Sequence, residues 1–307
     1  MSITFGLAKG SRPVKMLRCA TLSVADPAAS ARTYGDWLDY RTVESGTVPP
    51  DLAASWGCSA SAGAAFAVLA PASGRDTYIR FVGQPPVPGY APLRTYGWNA
   101  TEVCVQDVLA TNARMTKPGS PFTVIGPPRE IEGLDAIYPM QVRGPDQEIL
   151  YFTQIRGDLP AYKLPRASTL IDQVFIMVAG ASDLDATMAW FRDAVGLRDG
   201  RKMDIVYTML AGAYGSDPEA LHTIATMIDE DDVFLEVDQY PPEATARPGH
   251  DGMLPPGVAL TTFKTRDIGA LSGWLTEPAP RDGPVYAGKR AGTLRGPDGI
   301  LAEVVEA

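Results

Sequence analysis

The side chains that could do chemistry in this 307-residue sequence are few. There are two histidines, His222 and His250, and three cysteines, Cys19, Cys58 and Cys104. An odd number of cysteines with no Cys-x-x-Cys pair argues against a disulfide framework and against a structural zinc site. There is no glycine-rich phosphate loop, no Gly-x-Ser-x-Gly elbow and no kinase-like signature. Carboxylates are therefore the reactive groups to weigh. Glu102 stands on an otherwise apolar strand pattern, where burial would raise its pKa toward the range of a general base. The plainer reading is a hydrogen bond to Arg80 across a cleft. His250 lies in the Gly-rich stretch RPGHDG at 247–252, which reads as a loop over a cleft, and His222 at a strand edge reads as structural. Phe175, Met177, Trp98 and Tyr151, with Tyr207 and Met209, suggest an apolar or aromatic ligand.

Composition narrows the partners. Lys and Arg total 27 against 36 Asp and Glu, a net charge of −9, and no basic stripe compensates locally. A nucleic acid and an anionic membrane surface are both disfavoured. No apolar run approaches the roughly 18 residues that span a bilayer, and the start MSITFGLAKG lacks the pattern of a secretory signal. The expectation is a cytoplasmic protein with reduced thiols and a small-molecule substrate, with a homodimer as its candidate assembly. Its length suits two domains of about 150 residues.

The elements that position these residues come in repeats. DPAASARTYGDWLDYR at 26–41 aligns with DLDATMAWFRDAVGLR at 183–198, matching Tyr34 with Phe191, Asp36 with Asp193 and Arg41 with Arg198. IRFVGQPP at 79–86 parallels LEVDQYPP at 235–242, and VRGPD at 142–146 parallels LRGPD at 294–298. The order is the same in both halves. The predicted domains are 16–155 and 170–306, joined by a polar, proline-marked linker at 156–169. Each half reads as strand, helix and several strands, twice over. In the second half strands are predicted at 172–178, 205–210, 223–228, 233–238, 257–265, 292–294 and 301–305, with helices at 183–195 and 268–275. The fold class is α+β, with four βαβββ modules.

This arrangement resembles the vicinal-oxygen-chelate superfamily of glyoxalases, bleomycin-resistance proteins and extradiol dioxygenases. Val24-Ala-Asp26, Ser30, Tyr34 and Leu38, their counterparts at 183–197, and the turns GPDQ at 144–147 and GPDG at 296–299 carry the likeness. The resemblance runs from about residue 16 to 306 and is nearest the two-domain, four-module members. It implies that the modules pair into two homologous glyoxalase-like domains with curled mixed sheets, each enclosing a cleft.

In metal-binding members, inward-facing strand residues at four positions hold a divalent ion. The resemblance places these positions at Gln173, Glu236, about Leu260 and Glu303 in the C-terminal half. In the N-terminal half they fall at Cys19, Arg80, Ala100 and Tyr151. A guanidinium in place of a carboxylate makes the N-terminal half degenerate and leaves the C-terminal cleft as the functional one. Strand alternation puts Gln173, Phe175 and Met177 toward the cleft and Val174, Ile176 and Val178 toward the helix. Gln173, Glu236 and Glu303 then form an oxygen-donor set suited to Mg²⁺ or Mn²⁺ rather than iron or zinc. The alternative is a polar cleft without metal.

The function implied is isomerase- or lyase-type, non-redox chemistry on an apolar, aromatic or carbonyl-bearing substrate. Glu236, Glu303, Glu102 and His250 are the candidate catalytic residues, and Gln173, Phe175, Met177, Tyr207 and Leu260 the candidate binding residues. A non-catalytic sequestering protein is the competing class. A ring-cleaving dioxygenase is a further one, opposed by the lack of a two-His, one-carboxylate set and by Thr293 standing where that group carries a tyrosine.

Overall fold

The computed structural model describes residues 16–159, 162–230 and 232–307. Four modules follow one another. The first is β1 (Leu17–Val24), α1 (Pro27–Leu38), β2 (Arg41–Thr47), α2 (Pro50–Ser55), β3 (Ala65–Ala70) and β4 (Tyr78–Gly83). The second is β5 (Gly97–Val105), α3 (Val108–Met115), β6 (Thr123–Gly126), β7 (Ile137–Arg143) and β8 (Ile149–Ile155). The third is β9 (Ile171–Ala181), α4 (Leu184–Trp190), β10 (Arg198–Val206), α5 (Thr208–Tyr214), β11 (Leu221–Asp229) and β12 (Asp232–Gln239). The fourth is β13 (Gly257–Thr265), β14 (Ala279–Pro280), β15 (Arg290–Arg295) and β16 (Leu301–Glu306).

One device recurs in all four. An aspartate just past the first strand accepts hydrogen bonds from the backbone N–H groups behind it: Asp26 from Ala28 and Ala29, Asp107 from Ala110, Asp183 from Ala186 and Asp267 from Gly269. A short carboxylate satisfies donors that a helix start leaves open, so the chain turns from strand to helix at the same place each time. The segments 26–41 and 183–198 are thus equivalent strand-to-helix passages.

Two local expectations fail. The predicted helix at 268–275 is a single 3₁₀ turn, Ile268–Ala270. Gly269 lies within it and Gly273 follows at φ +87°, both poor helix residues. The predicted strand at 205–210 ends at Val206, and Thr208 opens α5, which closes on Gly215 at φ 64°. There the Met-Leu-Ala-Gly-Ala run favours helix over the β-branched residues before it.

The strands form two eight-stranded mixed sheets, ordered β14-β15-β16-β13-β1-β4-β3-β2 and β10-β11-β12-β9-β5-β8-β7-β6. The expectation that each half closes on itself is therefore not met. Module 1 pairs with module 4 through β1 and β13, antiparallel, with Thr21 opposite Leu260. Module 2 pairs with module 3 through β5 and β9, with Glu102 opposite Ile176. All four seam strands are buried along most of their length. Hydrophobic pattern alone therefore gives each seam strand no preference among partners.

Helices α1, α3 and α4 lie between the sheets, around Tyr34, Leu38, Trp98, Phe152, Phe191 and Phe263, whereas α2 and α5 pack against the cleft clusters. Trp98 Nε1 donates to the Leu301 carbonyl oxygen at 2.8 Å, tying one sheet to the other. Trp98 belongs to this central core and to neither cleft. Each sheet's other, concave face carries its own buried cluster, one around Trp56 and Leu260 and one around Tyr151 and Phe175. Among the described residues no helix is long and apolar enough to cross a membrane.

Candidate functional site

The cleft of modules 1 and 4 is closed by charge compensation. Glu303 on β16 accepts hydrogen bonds from Trp56 Nε1 at 2.8 Å, Tyr286 Oη at 2.9 Å, Thr262 Oγ1 at 2.7 Å and Arg80 Nη2 at 3.2 Å. Arg80 on β4 also donates to Thr21 Oγ1 at 3.0 Å and Tyr286 Oη at 2.6 Å, and lies over the Trp56 ring at 4.6 Å. Burial alone would depress the pKa of Arg80. The Tyr286 and Glu303 oxygens around it more than offset that and raise it. Both oxygens of Glu303 are engaged, and an incoming cation would have to displace a guanidinium. A cavity of about 440 Å³ opens onto this network, lined by Arg80, Trp56 and Tyr286 together with Glu44, Phe66 and Arg281 among others.

The cleft of modules 2 and 3 is different. Glu102 on β5 and Glu236 on β12 both line a cavity of about 110 Å³ whose walls are mainly apolar, including Ile137, Leu164, Phe175, Ile176 and Ile224. Glu102 is 7% exposed, and its Oε1 accepts from Thr153 Oγ1 at 2.5 Å. Desolvation, with the nearby charge of Glu236, pushes the Glu102 carboxyl up to about 8. Glu236 is raised well above the usual carboxylate range by burial and by Asp238. Asp238, two residues along the same strand, is pushed up to about 7, chiefly by desolvation. The charge of Asp238 disfavours ionisation of Glu236, so the pair holds on to a proton. The hydroxyls of Tyr207 and Tyr151 meet in a short hydrogen bond, while Asp238 keeps Oδ1 buried without a hydrogen-bond partner.

The structure brings Glu102, Glu236, Phe175 and Tyr207 together and disperses the other candidates. Glu303 and Leu260 belong to the cleft of modules 1 and 4. His250 lies in an exposed loop with Nε2 3.2 Å from the Pro86 carbonyl oxygen, beside neither pair of cleft carboxyls. Met177 packs into the helical core, and Gln173 does not line the cavity. The alternation reading failed because β9 bulges. Glu102 pairs with Ile176 while the next residue, Val103, pairs with Val174, leaving Phe175 as the extra residue. Phe175, Ile176 and Val178 all join the cleft cluster as a result. The expected Glu102–Arg80 bond is absent too, since Arg80 serves Glu303 in the other sheet.

Asp238, Thr153, Tyr286 and Trp56 were not singled out from sequence. Asp238 carried a readable signal, because two residues along a strand from Glu236 is the same face. Tyr286 carried none. It precedes β15 in an irregular segment far from Arg80 in the chain.

Cofactor fit follows from this geometry. Gln173, Glu236 and Glu303 cannot converge on one ion, because Glu236 and Glu303 line different clefts. His222 is half-buried beside Tyr207, far from the loop of His250, so a two-histidine iron site does not fit. Among the described residues no three His, Cys, Asp or Glu side chains are arranged to hold a metal ion.

Comparison with solved structures places the architecture. Glyoxalase I from Zea mays aligns over 94% of this chain and 92% of its own, with a TM-score of 0.59 and 17% identity. A protein described as a putative dioxygenase from Bacillus subtilis subsp. subtilis str. 168 aligns over 96% of this chain and 86% of its own, with a TM-score of 0.61 and 16% identity. No protein-family model and no curated protein matches the sequence.

Proposed function

We propose, taking as premise that the chain has the two-sheet, four-module vicinal-oxygen-chelate fold, that it is a small-molecule enzyme catalysing non-redox proton transfer in the cleft of modules 2 and 3. The observation that carries this is the pair Glu102, buried, and Glu236, half-buried, two carboxyls facing one apolar cavity. Their pKa values are raised, so at neutral pH protonated and ionised carboxyls coexist within one site. A carboxylate so placed can remove a proton from carbon next to a carbonyl. A neighbouring carboxylic acid can return a proton to oxygen or to the adjacent carbon. That is the chemistry of an isomerase, or of a lyase where a leaving group departs from the enol. General acid–base catalysis of this kind is worth about 10²–10⁴ in rate. The mainly apolar wall excludes water and suits an aromatic or aliphatic substrate.

The same wall supports a second reading, that of a sequestering protein that binds such a molecule without changing it. One experiment separates the two. The protein is incubated in deuterium oxide with a panel of aryl and alkyl ketones, and exchange of the α-hydrogen is followed by NMR. Protein-dependent exchange that Glu102→Gln and Glu236→Gln each reduce by about 10² supports catalysis. Saturable binding without exchange supports sequestration. Exchange that survives both substitutions would sink the assignment of these carboxyls.

A further inference from the structure

We infer that the ligand of the cleft of modules 2 and 3 carries a cationic nitrogen on its apolar body, an inference that rests on the reading of this cleft as the functional one. Three observations converge on it. The first is a missing counter-charge. Glu102 and Glu236 line the cavity with Asp238 behind them, and the one basic side chain among its described lining residues is Arg201, exposed at the rim. The contrast is internal to the molecule. In the other cleft the comparable carboxylate, Glu303, is met by the guanidinium of Arg80 at 3.2 Å. A buried carboxylate without a partner cation is costly, so these carboxyls hold protons instead, and a ligand cation would take the proton's place and supply what Arg80 supplies there.

The second is the direction of the hydrogen bonds. Asp238, behind Glu236, keeps its Oδ1 buried without a hydrogen-bond partner. One hydroxyl proton is spent in the bond between Tyr151 and Tyr207, and lone pairs remain on both oxygens to accept. Thr153 spends its proton on Glu102. The floor of the cavity therefore offers acceptors, which an ammonium group can satisfy with up to three N–H donors.

The third is the wall itself. Phe175, Tyr151, Tyr162 and Tyr207 line the same cavity, and aromatic faces attract cations as well as apolar surface. At about 110 Å³ the space takes no more than about one ring.

The test compares three probes of one skeleton by titration calorimetry: 4-phenylbutylammonium, 4-phenylbutanol and 4-phenylbutanoate. The ammonium should bind at least about tenfold more tightly than the alcohol, a difference of about 1.4 kcal/mol, and the carboxylate most weakly. Glu102→Gln and Glu236→Gln should each lower the affinity for the ammonium far more than that for the alcohol and so remove most of the preference, with melting curves confirming that the variants fold. Alcohol binding equal to ammonium binding, or carboxylate binding the tightest, overturns the cationic class and leaves the cleft reading standing. A preference for ammonium that persists in both variants overturns the role of these carboxyls. Binding of none of the three probes overturns the cleft reading as well.

Discussion

Arg80 and Glu303, 223 residues apart in the chain, meet as an ion pair of 3.2 Å with both side chains almost wholly buried. They stand on β4 and β16, in the first and last modules, and the pair exists because those modules share a sheet. Trp56, Tyr286, Thr21 and Thr262 complete the hydrogen bonding. Such a network is strongly held only while whole. Replacing Arg80 with Leu leaves Glu303 buried without its cation and should cost about 3–5 kcal/mol of folding stability. Replacing both with Leu should recover much of that loss. Urea denaturation of the two variants measures it, and a cost below about 1 kcal/mol for the single change would mean the pair is not structural.

The raised carboxyls of the other cleft make stability depend on pH with a definite sign. Glu102 moves from an ordinary 4.5 to about 8 on folding, and Asp238 from 3.8 to about 7. Between the ordinary and the raised values the folded state binds more protons than the unfolded chain. Stability therefore falls as pH rises from about 4 through about 8, and levels off above that. Glu102→Gln, which keeps the shape without the charge, should flatten the slope and be relatively more stable at pH 8.5 than at pH 5. Denaturation midpoints of wild type and variant at the two pH values check this. A wild-type midpoint that rises with pH across this range would contradict it.

Gly180 on β9 has no room for a side chain. A Cβ there would come within 2.6 Å of Asn99 Nδ2 and of the Tyr240 ring, both packed over the strand. Its partner across β12 is Asp238, so any shift of the backbone would be felt at the carboxyl pair. Gly180→Val should cost about 1–3 kcal/mol by overpacking. It should also weaken binding of 4-phenylbutanol in the cleft by calorimetry. Unchanged melting and unchanged binding would show that Asn99 and Tyr240 move aside freely.

Phe175 owes its place in the cavity to the bulge in β9. Phe175→Ala removes a ring from the wall and leaves the carboxyls untouched. It should weaken binding of 4-phenylbutanol about tenfold, in proportion to lost apolar contact. Any ketone exchange catalysed by the protein should show the loss in KM more than in kcat. Met177→Ala, in the helical core, should instead lower stability with little effect on intrinsic affinity.

The sequence by itself determined the modules. The repeated segments 26–41 and 183–198, 79–86 and 235–242, and 142–146 and 294–298 are local features, which the structure bears out with aspartate caps at 26 and 183. The α+β class and the four βαβββ units could be read from them, and so could a buried, pKa-raised Glu102. Which carboxyls share a cleft was decided only by the tertiary structure. Glu236 and Glu303 occupy corresponding positions of neighbouring modules, yet one faces Glu102 and the other Arg80, because β12 belongs to one sheet and β16 to the other. Seam strands buried on both faces carry no mark of their intended neighbour. The pairing is fixed by shape and hydrogen bonding across the whole assembly, and a single extra residue in β9 then decides which side chains look into the cavity.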